Sequence, residues 1–363
     1  MPISVNGANG ITFADGSIQN TGASGFGFKN RIINGAMMID QRNNGSSITS
    51  DGFVVDRFQV ISNTSDFTSN RSTTVPSGQP FKNSIYIKPT ATKTPGAGTY
   101  AAIITNIEGF NIVDMMWGTA AAKSITVSFW VRSSKIGTYC WGTKNADATR
   151  SYSVTYTINA ANTWEYKSFT VPGCTDGSWP VDNTRGITCD FWLAGNNTQS
   201  STKNAWYAGN INMNTDQVNF FDSTSNEFYL TGVQIEVGST ATAFDYRDYG
   251  RELMMCQRYF SKIGGTTSGE PVGTGNIQDA PNSAWVYVKF PTTMRAAPTL
   301  AYSQLQIVNN ANYALAVSSI RGQYAGLDSA NFGVNCSSNG TTFAAVQLQT
   351  SATAGYLSMS AEL

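Results

Sequence analysis

The run SITVSFWVR, residues 124–132, alternates apolar and polar side chains with a period of two. One face carries Ile125, Val127, Phe129 and Val131, and the other carries Thr126, Ser128, Trp130 and Arg132. This alternation is typical of a half-buried β-strand. The runs SYSVTYTI (151–158) and ITCDFWL (187–193) repeat it. We therefore expect these segments to be strands of a β-sandwich.

Turn-rich gaps separate such runs from Phe53 to Val237, for example at 94–99 and 176–182. Many short strands divided by turns favour a jelly-roll β-sandwich. The alternation slips in WEYKSFTV (164–171), and it slips again across Gly232 in EFYLTGVQIEV (227–237). A β-bulge would shift the phase in this way, so we expect one at each place.

One segment has helical periodicity, from about Tyr246 to Lys262. Its apolar stripe contains Tyr249, Leu253, Cys256 and Phe260. Gly264 and Gly265 are expected to end the helix. Between two β regions such a helix acts as a connector. Its stripe can form a bundle on the axis of an oligomer, or it can pack on the adjoining sandwich.

The alternation of side chains that is typical of strands resumes after Thr266. In AWVYVKF (284–290), Trp285 and Tyr287 lie on one face, and Val286, Val288 and Phe290 lie on the other. Five or six short strands here are enough for a second small β-sandwich. We thus predict an all-β chain with four parts: a segment at 1–29 too poor in apolar residues to enclose a core, a jelly roll at 30–245, a connecting helix at 246–264, and a C-terminal sandwich at 265–363.

The composition excludes several classes of function. Lys and Arg number 23, Asp and Glu number 23, and the chain has no histidine. Without histidine, a Ser-His-Asp or Cys-His enzyme is excluded, and no basic surface indicates nucleic-acid binding. The five cysteines have no metal-binding spacing, so we expect reduced, mostly buried thiols and no cofactor. No sequence spacing reveals the carboxylate pair of a glycosidase, and we predict no enzyme activity.

The first residues, MPISVNGANG, contain neither the basic nor the apolar region of a secretory signal, and no run has the length of a membrane span. We therefore expect synthesis in a cytoplasm, without membrane insertion.

Several ordered motifs resemble those of receptor-binding tail-fibre proteins of tailed bacteriophages. They are NRIINGAMMIDQR (Asn30–Arg42), VVDRF (54–58), the stretch from LTGVQIEVGS to CQRYF (Leu230–Phe260), GITFADGSIQNT (10–21), MRAAPTL (294–300) and the ending at 357–363. The resemblance implies a sandwich like that of carbohydrate-binding modules, within a homotrimeric fibre of the virion made in the bacterial host cytoplasm. It also implies that residues 1–29 either join the copies of the oligomer or attach to other virion tail proteins, and that the distal end recognises a host surface glycan or lipopolysaccharide.

Sugar binding requires aromatic rings that stack on apolar sugar faces, with polar groups nearby. The candidates in predicted loops are Trp141, Trp179, Trp206 and Tyr207, each of which could instead plug a small core. Asp147, Asp176, Asp182 and Asn197 could bind sugar or calcium, or be solvated turn residues. The charged residues of the motifs, Asp40, Arg42, Asp56 and Arg57, are interpreted as structural, because Arg and carboxylate pairs can fix strand register.

The leading hypothesis is therefore a trimeric receptor-binding protein. A structural fibre or decoration protein of the virion is the alternative, and a polysaccharide depolymerase is a third possibility.

Overall fold

The structure is a computed structural model that describes residues 4–6, 10–12, 18–19, 29–63, 66–96, 98–196, 199–200, 202–278, 282–309, 314–337 and 344–363. Its described part consists of strands, two short 3₁₀ helices and one α-helix. The predicted all-β class is confirmed. Near the N-terminus three strands pair antiparallel: β1 (Ser4–Asn6), β2 (Gly10–Thr12) and β3 (Ile18–Gln19).

Two antiparallel sheets form the sandwich. The seven-stranded sheet contains, in spatial order, β15 (Trp206–Ala208), β11 (Arg150–Ile158), β10 (Gly137–Asn145), β13 (Arg185–Gly195), β8 (Tyr100–Glu108), β5 (Phe58–Ser62) and β4 (Gly52–Val55). The five-stranded sheet contains β12 (Glu165–Val171), β9 (Ile125–Ser133), β17 (Phe228–Val237), β7 (Ser84–Pro89) and β6 (Phe67–Ser72). Two-residue strands β14 (Gln199–Ser200) and β16 (Met213–Asn214) pair in parallel, and the 3₁₀ helices span Gly109–Met115 and Phe220–Asp222.

The core of the sandwich lies between these two sheets, where the apolar faces predicted for 124–132, 151–158 and 187–193 meet. Phe129 of β9 is fully buried, and its ring lies 5.1 Å from the rings of Tyr156 and Phe191 on the opposite sheet. Burial of one such side chain contributes about 1.5–3 kcal/mol. The alternating pattern thus predicts both the strands and the face that each buries.

One of the two predicted bulges is confirmed, and the other is wrong. The register between β17 and β9 shifts between Thr231 and Gln234, and Gly232 in this bulge has a φ of +63°. In contrast, β12 pairs with β9 in regular register from Glu165 to Val171. The apparent slip arises because Trp164 and Tyr166 belong to the outer face of the sheet, whereas Phe169 and Val171 face the core.

The opening and closing motifs of the sandwich are bonded directly to each other. The Asn30 side-chain amide donates to the Val233 carbonyl at 3.0 Å and accepts from the Ile235 backbone N–H at 3.1 Å. Backbone bonds join Arg31 to Ile235 and Val233 to Gly35, both within 2.9 Å. The opening motif therefore lies along β17, the strand that belongs to the closing motif.

The helix, α1 (Tyr249–Gln257), is shorter than predicted, and it buries Cys256 of the predicted stripe together with Glu252. Asp248 caps its first turn through a 2.9 Å bond from the Arg251 backbone N–H. Tyr249 of the predicted stripe is 57% exposed, whereas Glu252 and Cys256 are buried. The Glu252 carboxylate accepts from the Asn34 backbone N–H and lies 3.4 Å from the Arg247 guanidinium, so polar contacts are buried beside the apolar ones of Cys256 and Leu253. The helix packs on its own chain, against the motif at 30–42.

The C-terminal strands close into a barrel, where a second sandwich was predicted. The barrel consists, in order, of β19 (Pro271–Ile277), β20 (Ser283–Lys289), β24 (Ser329–Cys336), β23 (Ala314–Ala325), β22 (Leu305–Val308) and β25 (Ala345–Thr350). A small sheet of β18 (Phe260–Gly264), β26 (Tyr356–Ser360) and β21 (Thr299–Ser303) lies beside it. Register shifts along the twelve-residue β23 bend it, and such bends allow a sheet to close on itself.

Among the described residues, no helix is both long enough and apolar enough to cross a membrane.

Candidate ligand-binding face

Trp141 is not a ligand-binding residue, and that prediction is wrong. Its side chain has no exposed surface and lies in the sandwich core, 5.4 Å from the ring of Phe169. The CWGTKN stretch, predicted as a loop, belongs mostly to β10. Because β10 is a central strand of the seven-stranded sheet, its inward side chains are covered by the opposite sheet.

Trp179 and Trp206 lie together at the edge of the sandwich, with ring centroids 5.7 Å apart. Trp117 lies edge-on to both, at 4.7 and 5.3 Å. Each indole N–H donates to a backbone carbonyl: Trp117 to Lys123, Trp179 to Asp176 and Trp206 to Pro172. Trp179 is only 7% exposed. This cluster fastens three loops to the sheet and leaves Trp179 no free ring face for a ligand.

The other loop candidates are held by local contacts. The Tyr207 hydroxyl donates to the Thr202 carbonyl at 2.9 Å. Asp176 forms a bidentate pair with Arg150, both bonds being 2.7 Å. Asp147 and Asp182 accept hydrogen bonds from Thr149 and Thr184. Asn197 lies outside the described residues. Within the described ranges, no group of three or more Asp, Glu or Cys side chains is arranged to hold a metal ion.

The four charged residues of the motifs lie in intramolecular contacts. Asp40 accepts from the backbone N–H groups of Asn43 and Gly45 at 3.0 and 2.6 Å, which closes a turn. Arg42 lies 3.4 Å from Asp56 and 2.9 Å from Glu362.

Arg57 also pairs with Glu362, and it donates to the Asn106 carbonyl at 2.7 Å. The Arg42 and Arg57 guanidinium groups stack on the Phe260 and Tyr259 rings, at 3.6 and 3.7 Å. These residues therefore join the sandwich to the C-terminal end of the chain.

The described surface with the best geometry for a ligand is the outer side of the five-stranded sheet. Five aromatic residues lie on it, and we call them the aromatic face: Tyr86, Trp130, Trp164, Tyr166 and Tyr229. Trp130 and Tyr166 are cross-strand partners with ring centroids 5.5 Å apart, and Tyr166 is 45% exposed. Neither the Trp130 indole N–H nor the Tyr166 hydroxyl has a hydrogen-bond partner among the described residues.

A pocket of about 530 Å³ opens beside Trp130. Its apolar walls are Pro80, Phe81, Trp130, Tyr166 and Phe244, and its polar atoms come from Gln79, Ser128 and Thr242. None of the described residues that line it is charged. Gly232 forms part of the floor, and a Cβ added there would lie 2.7 Å from Phe81 and 3.1 Å from Trp130. The bulge glycine therefore keeps the space between these two rings open.

Glu236 holds the loop that forms the far wall of this pocket. Its carboxylate accepts from the backbone N–H and the hydroxyl of Thr242, at 2.9 and 2.7 Å. Gln234 accepts from the Asp245 backbone N–H at 2.8 Å, and Lys29 donates to the Ala243 carbonyl at 2.7 Å. These bonds place Phe244 5.1 Å from Phe81, edge to face. The pocket is therefore preformed by contacts within the chain.

The second half of the aromatic face surrounds Glu227. The hydroxyls of Tyr86 and Tyr229 donate to its two carboxylate oxygens at 3.2 and 3.3 Å, and Arg132 lies 4.0 Å away. Burial raises the pKa of Tyr86 to about 12, and the Glu227 carboxylate adds to the rise. Burial likewise raises the pKa of Tyr229. Both phenols therefore stay protonated at neutral pH, as donors beside a carboxylate acceptor.

The sequence contains a signal for this face, on strands rather than in loops. Trp130 lies on the polar side of an otherwise alternating strand, and Trp164 and Tyr166 break the alternation of the neighbouring strand. A large aromatic side chain on the solvent side of a strand lacks a core-packing explanation. Two such positions on strands that pair indicate a surface that contacts a ligand.

No known protein family matches the chain, and no curated protein matches it in sequence. Among solved structures, it is similar to the enzymatically active domain of tailspike protein 4 of bacteriophage CBA120, with a TM-score of 0.31 and 13% identity over 58% of this chain and 21% of that chain. It is similar to TmCBM61 in complex with β-1,4-galactotriose, with a TM-score of 0.31 and 7% identity over 58% of this chain and 100% of that one.

A third similar structure is the family 11 carbohydrate-binding module of the cellulosomal cellulase Lic26A-Cel5E of Clostridium thermocellum. Its TM-score is 0.27, with 11% identity over 54% of this chain and 99% of that one. Likeness at these scores carries no argument about ligand or activity.

Proposed function

We propose that this protein is a glycan-binding adhesin that serves as a receptor-binding protein of a phage tail fibre. The aromatic face carries the proposal. It offers partly exposed rings on adjacent strands, a preformed pocket beside Trp130, and hydroxyl groups that stay protonated.

A sugar is the ligand class that uses all of these groups. Pyranose rings have apolar C–H faces that pack on aromatic rings, and hydroxyls that pair with polar side chains at the edges. Trp130 and Arg132 are two residues apart on β9, which places them about 7 Å apart along the strand. The half-buried Trp130 and Trp164 rings can therefore contact successive sugar units of one oligosaccharide, whereas the Tyr229 ring is 8% exposed and lies under the Arg132 guanidinium at 4.7 Å. The uncharged pocket lining favours a neutral unit beside Trp130.

The role on a virion is supported by the tail-fibre motifs at Asn30–Arg42 and Leu230–Phe260. The proposal includes a homotrimer located in the tail fibre, held to other tail proteins through residues 1–29, which binds host glycan or lipopolysaccharide without cleaving it. Three copies of a weak site on one particle give a strong attachment by avidity.

An array of neutral oligosaccharides tests the ligand class. The full chain should bind a subset of the array, and Trp130→Ala or Tyr166→Ala should weaken that binding roughly tenfold or more, because each removes a stacking surface. Phe110→Ala is the matched control, since Phe110 is 56% exposed but lies on the 3₁₀ helix at Gly109–Met115, away from this sheet. Equal binding by Trp130→Ala and the unmodified chain would overturn the assignment of the face.

Light scattering and a competition assay test the biological role. We expect the mass of a trimer in solution, and we expect the purified protein to reduce phage adsorption to susceptible cells. Trp130→Ala should lose this competition while it keeps the trimeric mass. A monomer that leaves adsorption unchanged would contradict the tail-fibre proposal.

A structural protein of the virion is the second candidate, favoured by an exposed apolar group. Phe110, Val113 and Met116 lie in or next to one 3₁₀ helix and are 56%, 52% and 44% exposed. Exposed apolar side chains that cluster in this way are typical of protein interfaces. Under this alternative, changes at the aromatic face leave host range unaltered, whereas Phe110→Asp prevents incorporation into the particle.

A further inference from the structure

The outer wall of the C-terminal barrel carries a second group of aromatic and amide side chains. Asn276 of β19 pairs with Trp285 of β20, and Tyr287 of β20 pairs with Asn331 of β24. Asn331 in turn pairs with Tyr324 of β23. These side chains face outward, because Ala284, Val286 and Val288 of the same strand β20 are buried in the barrel.

A bulge brings Tyr324 onto Trp285. The register between β23 and β24 shifts between Arg321 and Tyr324, and Gly322 within this shift has a φ of +53°. Without a Cβ at Gly322, which would lie 3.2 Å from the Trp285 ring, the two rings stack at 5.8 Å with an interplanar angle of 25°. Bulges often re-aim a side chain in this way at functional sites.

The stacked pair borders a groove of about 480 Å³, which we call the barrel groove. It is lined by Thr274, Gly275, Asn276, Gln278, Trp285, Tyr287, Tyr324 and Asn331. A second depression, of about 650 Å³, shares Thr274 and Gly275 with it and continues past β19. The two depressions together provide more space than a single sugar needs, so they suit an oligosaccharide.

Five polar side chains of the barrel groove have no hydrogen bonds within the described chain. The side-chain amides of Asn276, Gln278 and Asn331 and the hydroxyls of Tyr287 and Tyr324 lack partners among the described residues. Amides of the sandwich differ: the side chains of Asn34, Asn145 and Asn226 are all bonded. The groove therefore presents donors and acceptors to solvent around exposed rings, Tyr324 being 69% exposed and Tyr287 50%.

Charge is absent from the groove lining. The Arg321 guanidinium lies 5.5 Å from the centroid of the Trp285 ring, and it is bonded to Asn335 at 3.0 Å and to Ser283. The described lining residues include no Asp, Glu, Lys or Arg. Neutral amides and hydroxyls around aromatic rings match the hydroxyls and C–H faces of an uncharged sugar chain.

We propose that the barrel groove binds a neutral oligosaccharide and is a second glycan site, separate from the aromatic face of the sandwich. This inference rests on the proposed function for its ligand class, and on the barrel residues alone for its location. One chain then carries two sugar sites on different domains. The second site raises the effective affinity for a glycan that presents repeated units.

The test uses the full chain and an array of neutral oligosaccharides. The variants are Trp285→Ala, Tyr324→Ala and Asn331→Ala for the groove, and Trp130→Ala for the aromatic face. Leu327→Ala is the control, because Leu327 is 46% exposed near the end of β23 but does not line the groove. Since Tyr324 is largely exposed, Tyr324→Ala should keep the melting temperature even if Trp285→Ala lowers it.

The proposal is supported if Tyr324→Ala binds a subset of the glycans roughly tenfold or more weakly than the unmodified chain does. Trp130→Ala must still bind the same subset. Losses in Trp130→Ala alone, with unchanged binding by the groove variants, would overturn the second site and leave the proposed function standing. Losses in the groove variants alone would support the barrel groove and overturn the aromatic face. An array that binds no protein at all counts against both sites.

Discussion

Tryptophan residues of this chain occupy three environments that the sequence does not distinguish. Trp141 lies in the core, and its indole N–H has no hydrogen-bond partner among the described residues. Trp179 lies in an edge cluster and donates to a backbone carbonyl. Trp130 lies on the outer side of a sheet, with part of its ring open. The neighbour of each ring face, rather than the residue type, decides whether a ligand can reach it.

Substitution of these residues should separate folding from binding. We expect Trp141→Ala to lower the free energy of unfolding by about 3–5 kcal/mol, because it leaves a cavity in the core. Trp141→Phe should cost much less, since the N–H that it removes is unpaired. Trp130→Ala should lower the free energy of unfolding by about 1 kcal/mol or less, although it should weaken glycan binding. Urea denaturation of the three variants checks this order, and a core-sized loss in Trp130→Ala would contradict the surface assignment.

Asp56 gives the protein a specific pH dependence. Burial raises the pKa of its carboxyl to about 6, although the Arg42 guanidinium opposes the rise. The unfolded chain titrates near the usual value of 3.8, so the folded state binds the proton more tightly between these two values. The contribution of Asp56 to stability is therefore present below about pH 4 and is lost as the pH rises through about 6.

The comparison with Asp56→Asn isolates this effect, because other carboxylates titrate in both proteins. From about pH 4 to about pH 7 the unmodified chain should lose up to roughly 3 kcal/mol of unfolding free energy relative to the variant. Urea denaturation at the two pH values measures the difference. If both proteins change equally between these conditions, Asp56 is not the responsible group.

At the scale of the elements, alternation predicted the sandwich strands because a period of two is a local property of the chain. The bulge at Gly232 was also predictable, since a bulge changes the phase of the residues on either side. The bulge predicted at Trp164 and Tyr166 is absent, because a bulge and aromatic side chains on the outer face of a regular strand give the same local sequence pattern. Only the register with β9 distinguishes them.

The barrel and the helix face depend on contacts between distant residues, and the sequence did not reveal them. Closure of the barrel requires β19 to pair with β25, whose residues are about 70 positions later in the chain. The buried face of α1 depends on Glu252, which binds the backbone of Asn34. Of the four predicted aromatic site residues, Trp141 and Trp179 are buried. The aromatic face lies instead on strands for which the alternating pattern predicts a structural role but no ligand.

Substitution in the β17 bulge should affect the pocket beside Trp130. Gly232→Ala adds a Cβ that meets Phe81 and Trp130, and its φ of +63° strains an L-residue. Gly45 is the control, since its φ is +84° and a Cβ there meets nothing within 4 Å. Both substitutions should lower the free energy of unfolding by about 1–2 kcal/mol. Only Gly232→Ala should weaken glycan binding; a similar loss in Gly45→Ala would mean that strain alone explains the effect.

At the scale of the whole molecule, buried charge joins the barrel region to the sandwich. Glu362, near the C-terminus, pairs with Arg42 and Arg57 of the sandwich. Arg295, which precedes β21, donates to the Asn183 carbonyl at 2.7 Å, and Asn183 donates back to the Arg295 carbonyl at 3.0 Å. The aromatic face and the barrel groove therefore lie on domains that are held together by contacts far apart in sequence, in addition to the connecting helix.

Removal of the Glu362 charge should weaken the contact between the barrel region and the sandwich. Arg57 is 3% exposed, and removal of one partner from a buried ion pair costs about 3–5 kcal/mol because the remaining charge is unpaired. We expect Glu362→Gln to split a single calorimetric unfolding transition into two, and to speed protease cleavage between the helix and the barrel. Asp176→Asn is the control, since the Arg150–Asp176 pair is exposed to solvent and its loss should leave the unfolding transition almost unchanged. A single, unshifted transition in Glu362→Gln would show that the Glu362 ion pairs do not couple the two domains.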